Sequence, residues 1–177
     1  MNKTAGIILV GGQSSRMGKN KSLLVFQGIP MVEHMRNILV NAGIRDTYMS
    51  GTLPGYETIP DPEPQAGPGR AMAHLLHRFS GQHQRLFFVP VDMPFMTEDI
   101  VRMLVASPGS VFVKGHPVPC CLLTRDGVPE GFSVKDLLKE SSATDLEIPR
   151  GSEKYFLNLN TPEEWERVIQ SASRIGH

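Results

Sequence analysis

Thr4-Ala5-Gly6-Ile7-Ile8-Leu9-Val10-Gly11-Gly12-Gln13-Ser14-Ser15-Arg16-Met17-Gly18-Lys19-Asn20-Lys21 is the stretch from which the rest of the chain can be read. Thr4–Val10 is a continuous apolar run without polar alternation, as in a strand buried on both faces, and it stops at two glycines. Met1–Lys3 followed by this run imitates a short signal peptide, but the run is too brief and no cleavage-like segment follows. A buried first strand is therefore expected. Paired glycines directly after a strand let backbone N–H groups approach an anion without a Cβ in the way. Arg16, Lys19 and Lys21 bring three cations to the same short stretch. Arginine can fork onto phosphate oxygens and lysine acts as a point charge, so a polyphosphate is the expected partner.

Two familiar phosphate-binding patterns do not fit. The P-loop requires four residues between its glycine and Gly-Lys, followed by Ser or Thr. Gly12 to Gly18 leaves five, and Asn20 follows Lys19. The dinucleotide pattern G-x-G-x-x-G also fails, because Met72 stands where the third glycine after Gly67 and Gly69 belongs.

Beyond this loop the chain alternates. Helical spacing runs over Pro30–Asn41, Ala71–Phe79, Val134–Glu140 after a Ser133 cap, and from Thr161-Pro162-Glu163-Glu164 onward, where a capping box opens the last helix. Another helix starts at Thr97, with Glu98 and Asp99 at its positive end. Strands are expected at Asp46–Ser50, Glu57–Ile59, Arg85–Pro90, Ser110–Val113, Cys120–Thr124 and Tyr155–Leu159. Pro60–Gly69, with four prolines and two glycines, is a loop. Alternating strands and helices predict a three-layer α/β/α fold with a mostly parallel, Rossmann-like sheet, spanning 1–177 as one domain. Ligands in such sheets sit beyond the carboxyl ends of the strands, here after Val10, Ser50, Ile59, Pro90 and Leu159.

Composition narrows the function. The 177 residues are 40% hydrophobic and 20% charged, with 18 basic and 18 acidic side chains. That is a globular composition, and zero net charge argues against a nucleic-acid binder. No apolar run approaches the roughly 20 residues of a membrane helix. Cys120 and Cys121 are adjacent and have no metal-binding spacing, so they read as core residues of a protein in the reducing cytoplasm.

Three further features follow predicted strands. Asp92, in Val91-Asp92-Met93-Pro94-Phe95, is placed to hold Mg²⁺, which prefers one or two carboxylates plus substrate phosphates. It could equally cap a turn. Asn158 and Asn160 alternate onto one face at the end of a strand, where amide oxygens could ligate metal or accept from substrate. In the loop from Ile59 to Arg70, acidic residues could accept from a base or ribose. His74 and His77 share a helix face, but no third ligand is spaced nearby.

Taken together, these motifs resemble the nucleotidyltransferases of molybdenum cofactor biosynthesis, and among them the guanylyltransferases. The matching pattern is Leu-x-Gly-Gly-x-Ser-x-Arg-Met-Gly-x-x-Lys from Leu9 to Lys21, with Asp92-Met93-Pro94, His116-Pro117 and Asn158-Leu159-Asn160-Thr161-Pro162-Glu163 in order after it. The resemblance implies transfer of GMP from GTP to the terminal phosphate of molybdopterin, with Mg²⁺ and release of pyrophosphate. It implies nucleotide contacts by Leu9, Val10, Gly11, Gly12 and Gly67, and a triphosphate held by Arg16 and Lys21. It assigns the metal to Asp92 and places Asn158 and Asn160 near metal or pterin phosphate. Asp61 or Glu63 would stand for the family's base-contacting acidic residue. Arg70 departs from the family by putting a charge where an apolar residue is usual, and could meet phosphate or pterin. Cofactor-delivery proteins or molybdoenzymes would receive the product. Two other readings stay open: a cytidylyltransferase or other small nucleotidyltransferase, and a non-catalytic nucleotide-binding or cofactor-chaperone protein.

Overall fold

The computed structural model describes residues 3–11, 20–64, 66–127 and 133–175, with side chains described up to residue 169. The chain begins with β1 (Thr4–Leu9) and then forms a small hairpin, β2 (Val25–Phe26) and β3 (Ile29–Pro30). It continues through α1 (Met31–Asn41), β4 (Thr47–Ser50), α2 (Pro68–Arg78), β5 (Arg85–Pro90) and α3 (Glu98–Ala106). The second half runs through β6 (Val111–Val113), β7 (His116–Leu123), α4 (Val134–Glu140), β8 (Thr144–Leu146) and α5 (Pro162–Ile175).

Six strands form one sheet in the order β4-β1-β5-β7-β6-β8. β1 pairs in parallel with both β4 and β5, and β6 with β8, while β7 runs antiparallel to β5 and β6. The sheet is thus mostly parallel, as the alternation predicts. β1 and β5 lie between other strands and are covered on both faces, which is why the runs Ala5–Leu9 and Leu86–Pro90 within them are apolar.

The two faces carry separate cores. On one face Met31, Met35 and Leu39 of α1, Val101 and Leu104 of α3, and Trp165 of α5 pack over Ile8, Phe87 and Val89. On the other, Met72, Leu75 and Leu76 of α2 and Leu137 and Leu138 of α4 pack over Ala5, Ile7, Phe88 and Cys120. Cys120 and Cys121 are free and buried, as expected, and burial pushes the Cys121 thiol up to about 11. At the lower end of the sheet the Arg85 guanidinium donates to the carbonyls of Val105 and Ser107 at 2.8–3.0 Å, closing the C-terminus of α3.

Four boundaries differ from expectation. Glu57–Ile59 is not a strand but a single parallel bridge between Ser50 and Ile59, in which Ile59 N–H donates to the Met49 carbonyl at 2.8 Å and the Ile59 carbonyl accepts from Gly51 N–H at 2.9 Å, before the proline-rich chain from Pro60 turns away. α2 starts at Pro68, three residues ahead of Ala71, with proline in its first turn, where no N–H is needed. β7 begins at His116, four residues ahead of the expected start at Cys120, and the His116 imidazole stacks on Phe156 at 4.9 Å. Tyr155–Leu159 is not a strand. Glu153–Phe156 forms a 3-10 turn, and the chain then passes over the sheet end with one backbone bond, Leu159 N–H to the Asp92 carbonyl at 3.0 Å. The buried side chains here are Phe156 and Leu159, three apart, and Leu157 is exposed, so the burial does not follow a strand's period of two.

Candidate active site

A cavity of about 560 Å³ opens above the carboxyl ends of β1 and β5 and the beginning of β7. Its walls are the segment Leu9–Gly11, the turn Asn20–Ser22, Pro90–Asp92, Pro117 and Val118, the start of α4 from Ser133 to Lys135, and Pro68 and Asn158. This is the position that the doubly wound topology predicts.

At its edge a polar cluster is assembled from three distant segments, of which Lys21 and Asp92 line the cavity and Asn160 lies behind them. Lys21 opens a short 3-10 turn, Lys21–Leu23, which the Asn20 side chain caps by accepting from Ser22 N–H at 3.0 Å. Asp92 lies two residues past β5. Asn160 stands just before α5, where its N–H donates to Glu164 Oε2 at 2.7 Å. The expected capping box forms there, with Thr161 N–H donating to Glu164 Oε2 and Glu164 N–H to Thr161 Oγ1, each at 3.2 Å. Together with the Leu159–Asp92 backbone bond, these contacts hold Asn160 beside Asp92. The Lys21 ammonium joins the three segments, donating to Asp92 Oδ2 at 2.8 Å and to Asn160 Oδ1 at 3.0 Å. Lys21 and Asp92 are largely withdrawn from water, with side chains 18% and 16% exposed.

This arrangement suits a divalent cation. A carboxylate oxygen and an amide oxygen converge on one positive group, and the ammonium stands where a metal would find the same two donors. Both donors are hard oxygens of the kind Mg²⁺ takes, with phosphate oxygens completing the shell. Among the described residues no group of three His, Cys, Asp or Glu converges. Asp92 and Asn160 are described residues whose oxygens could hold such an ion, and Asn158 lines the same cavity.

The Leu9–Gly11 segment is more constrained than its sequence suggests. Val10 N–H and Gly11 N–H both donate to the Ser50 carbonyl, at 3.0 and 3.2 Å, and Val91 N–H donates to the Leu9 carbonyl. The described backbone donors at this point are therefore already used, and among the described residues nothing donates to the Val10 and Gly11 carbonyls. Gly11 also meets the backbone of Gly51. A Cβ on Gly51 would lie 2.5 Å from Gly11 N, and its φ of +122° favours glycine in any case. The glycine after β1 thus serves close backbone packing against Gly51.

The loop between Ile59 and Arg70 is tied to itself and to α2. Asp61 Oδ1 accepts from Glu63 N–H at 2.9 Å. Glu63 Oε1 accepts from His74 Nε2 at 2.8 Å and from Arg70 Nε at 3.2 Å. These bonds, the one from His74 foremost, hold the Glu63 carboxyl below its usual range. Among the described residues of this loop Pro68 borders the cavity, and Asp61, Glu63, Gly67 and Arg70 are not in its wall. His74 contacts Glu63, and His77 Nδ1 accepts from Gly127 N–H. Gly12, Arg16 and Lys19 lie outside the described residues. Sequence reasoning missed Val118, Ser133 and Lys135 as wall residues. The Ser133 cap was legible, but nothing local showed that α4 begins at the cavity.

The MobA-like NTP transferase domain matches residues 6–132. The molybdenum cofactor guanylyltransferase of Xanthomonas euvesicatoria pv. vesicatoria is 31% identical, with 93% of each chain covered. The molybdenum cofactor guanylyltransferase of Vibrio vulnificus is 32% identical over 96% of this chain and 97% of that protein. Among solved structures, the molybdopterin-guanine dinucleotide biosynthesis protein A of Archaeoglobus fulgidus has the same fold. It superposes with a TM-score of 0.70 at 17% identity, covering 96% of this chain and 99% of that one.

Proposed function

The chain belongs to the MobA-like NTP transferase family, and from that membership we propose that it transfers GMP from GTP to the terminal phosphate of molybdopterin. In this reaction an oxygen of the acceptor phosphate bonds to the α-phosphorus of GTP. The bond from that phosphorus to the bridging oxygen breaks, and pyrophosphate leaves with the electron pair. The attacking oxygen is already anionic, so no protein nucleophile is required, and catalysis is alignment plus neutralisation of charge.

The observation that carries this reading is the convergence of Asp92 Oδ2 and Asn160 Oδ1 on one cation at the cavity wall. Nucleotidyl transfer requires a divalent cation; we assign Mg²⁺, held by Asp92 and Asn160, and when bound it neutralises charge on the phosphate oxygens. Lys21 gives its ammonium to the triphosphate once those two oxygens are otherwise occupied, and Arg16 is assigned to the same phosphates. Leu9, Val10, Gly11 and Gly12 are assigned to the base. With the Val10 and Gly11 N–H groups bonded to Ser50, carbonyl acceptors are available, which suits the adjacent N1–H and N2–H donors of guanine. Asp61 bonds the Glu63 N–H and Arg70 the Glu63 carboxylate, which supports a role for both in ordering the Ile59–Arg70 loop beside the nucleotide.

No helix among the described residues is long and apolar enough to cross a membrane. A cytoplasmic enzyme that passes its product to molybdoenzymes or their delivery proteins fits this reading. Calorimetry with GTP, CTP and ATP in the presence of Mg²⁺ tests it. GTP should bind with clear preference, and molybdopterin plus GTP should then yield the guanine dinucleotide. Preference for CTP would replace guanylyl by cytidylyl transfer. Failure to bind any of the three would leave a non-catalytic protein.

A further inference from the structure

The cavity wall holds a second lysine that the reaction above leaves without a role. Lys135 lies in the first turn of α4, borders the cavity, and makes no hydrogen bond or ion pair among the described residues. Its neighbours on that wall offer little to an anion. Pro117, Val118 and Val134 are apolar, and Ser133 Oγ is engaged by Asp136 in the capping box, at 2.6 Å from Oδ2 and 3.1 Å from the backbone N. Among the described residues of that wall, Lys135 is thus the side chain with unspent donors.

Its position is set by backbone. Gly69 brings the first turn of α2 directly onto Ser133, where a Cβ would lie 2.3 Å from the Ser133 carbonyl carbon. Leu137 and Leu138 anchor the rest of α4 in the core. Lys21 and Lys135 reach the cavity from opposite sides of the sheet, because the Lys21 turn packs on α1 and Lys135 belongs to the layer of α2 and α4.

Displacement at phosphorus places the attacking and leaving oxygens roughly in line, on opposite sides of the transferred group. Two anionic substrates must therefore approach from opposite directions, and each needs a positive group. Lys21, already bonded to Asp92 and Asn160, belongs to the nucleotide side. We propose that Lys135 binds the phosphate of the acceptor, a phosphomonoester arriving from the α4 side. The assignment rests on the guanylyl-transfer reading for the identity of the acceptor.

Lys135→Ala and Lys135→Arg separate the two claims. Molybdopterin, dephosphorylated molybdopterin and GTP are each titrated against the intact protein and both variants, and dinucleotide formation is followed with each substrate varied in turn. Loss of a charge-assisted hydrogen bond should weaken molybdopterin binding by about tenfold or more in Lys135→Ala and raise its KM similarly. Lys135→Arg should recover most of the loss. GTP binding should change by less than about twofold, and dephosphorylated molybdopterin should bind the parent and Lys135→Ala alike, since neither contact involves this ammonium. Equal weakening of GTP and molybdopterin, or no effect on either, overturns the assignment, as does a parent protein that binds no molybdopterin. A parent protein that binds molybdopterin without forming the dinucleotide overturns guanylyl transfer instead, and the binding comparison still decides the role of Lys135.

Discussion

At the scale of single residues, the contact that organises the site joins positions far apart in the chain. Lys21 and Asp92 are separated by 71 residues and meet at 2.8 Å. Both were legible as candidates from their places after β1 and β5, but their bond was not, because it depends on how the loops after neighbouring strands fold back over the sheet end. Removing either partner should have distinct consequences. Lys21→Ala should weaken GTP by roughly 10- to 100-fold, the worth of a charge-assisted bond to phosphate, while guanosine binding changes little. Calorimetry with both ligands checks this, and equal loss for both would make Lys21 structural. Asp92→Ala should abolish metal-dependent turnover while the protein stays folded, since the Lys21 ammonium keeps its bond to Asn160 Oδ1 and no core side chain is lost; a cooperative thermal unfolding transition checks the fold. Unchanged turnover would remove Asp92 from the mechanism.

Between elements, the cavity depends on how closely α2 and α4 approach. Gly69 permits that approach, and its replacement tests the idea. In Gly69→Ala the new methyl would lie 2.6 Å from both Ser133 O and Val134 N, and backbone on both sides has no flexible end to move aside. Overpacking of this kind costs about 1–3 kcal/mol, so the unfolding midpoint should drop by several degrees, and molybdopterin binding should weaken as α4 shifts. A midpoint equal to the parent's would mean the two helices are free to separate. The same comparison shows what sequence conveys about elements. β5 and α4 were legible to the residue, because a doubly buried strand and a Ser133 cap each carry a local signal. The chain from Tyr155 to Leu159 misled, because Tyr155, Leu157 and Leu159 alternate in sequence while burial selects Phe156 and Leu159. The small hairpin β2–β3 and the edge strand β8, at two and three residues each, are too short to produce a period at all. The approach of Gly69 to Ser133 has no local signature either, since a glycine in a helix's first turn reads the same whether or not another backbone lies against it.

For the molecule as a whole, the balance of 18 basic against 18 acidic side chains means that net charge does not govern stability near neutral pH, and particular groups do. His34 is one. It projects from α1 and its Nε2 is 3.0 Å from the Pro94 carbonyl, in the loop that follows Asp92, while its ring meets Phe26 edge-on at 4.9 Å. Burial holds its pKa below the ordinary value of 6.5, partly opposed by the bond to Pro94. As pH falls through 6.5 the unfolded chain takes up this proton before the folded one does. The stabilisation is therefore complete above that pH, declines below it, and levels off once the folded imidazole is also protonated. Glu63 and Asp136 act in a separate window. Hydrogen bonds, chiefly from His74 and from the Ser133 hydroxyl, hold their carboxyls below the ordinary values of 4.5 and 3.8, so their contribution is lost only in more acid solution. Thermal unfolding followed from pH 7.5 to 5 should thus show a first decline, within about a unit below the ordinary imidazole value, before the Glu63 and Asp136 carboxylates titrate. In His34→Gln an amide N–H can still reach the Pro94 carbonyl but nothing titrates, so that first decline should shrink while the acid one persists. An undiminished decline in the variant would assign it to another group and leave His34 as a packing residue between α1 and the loop that carries Asp92.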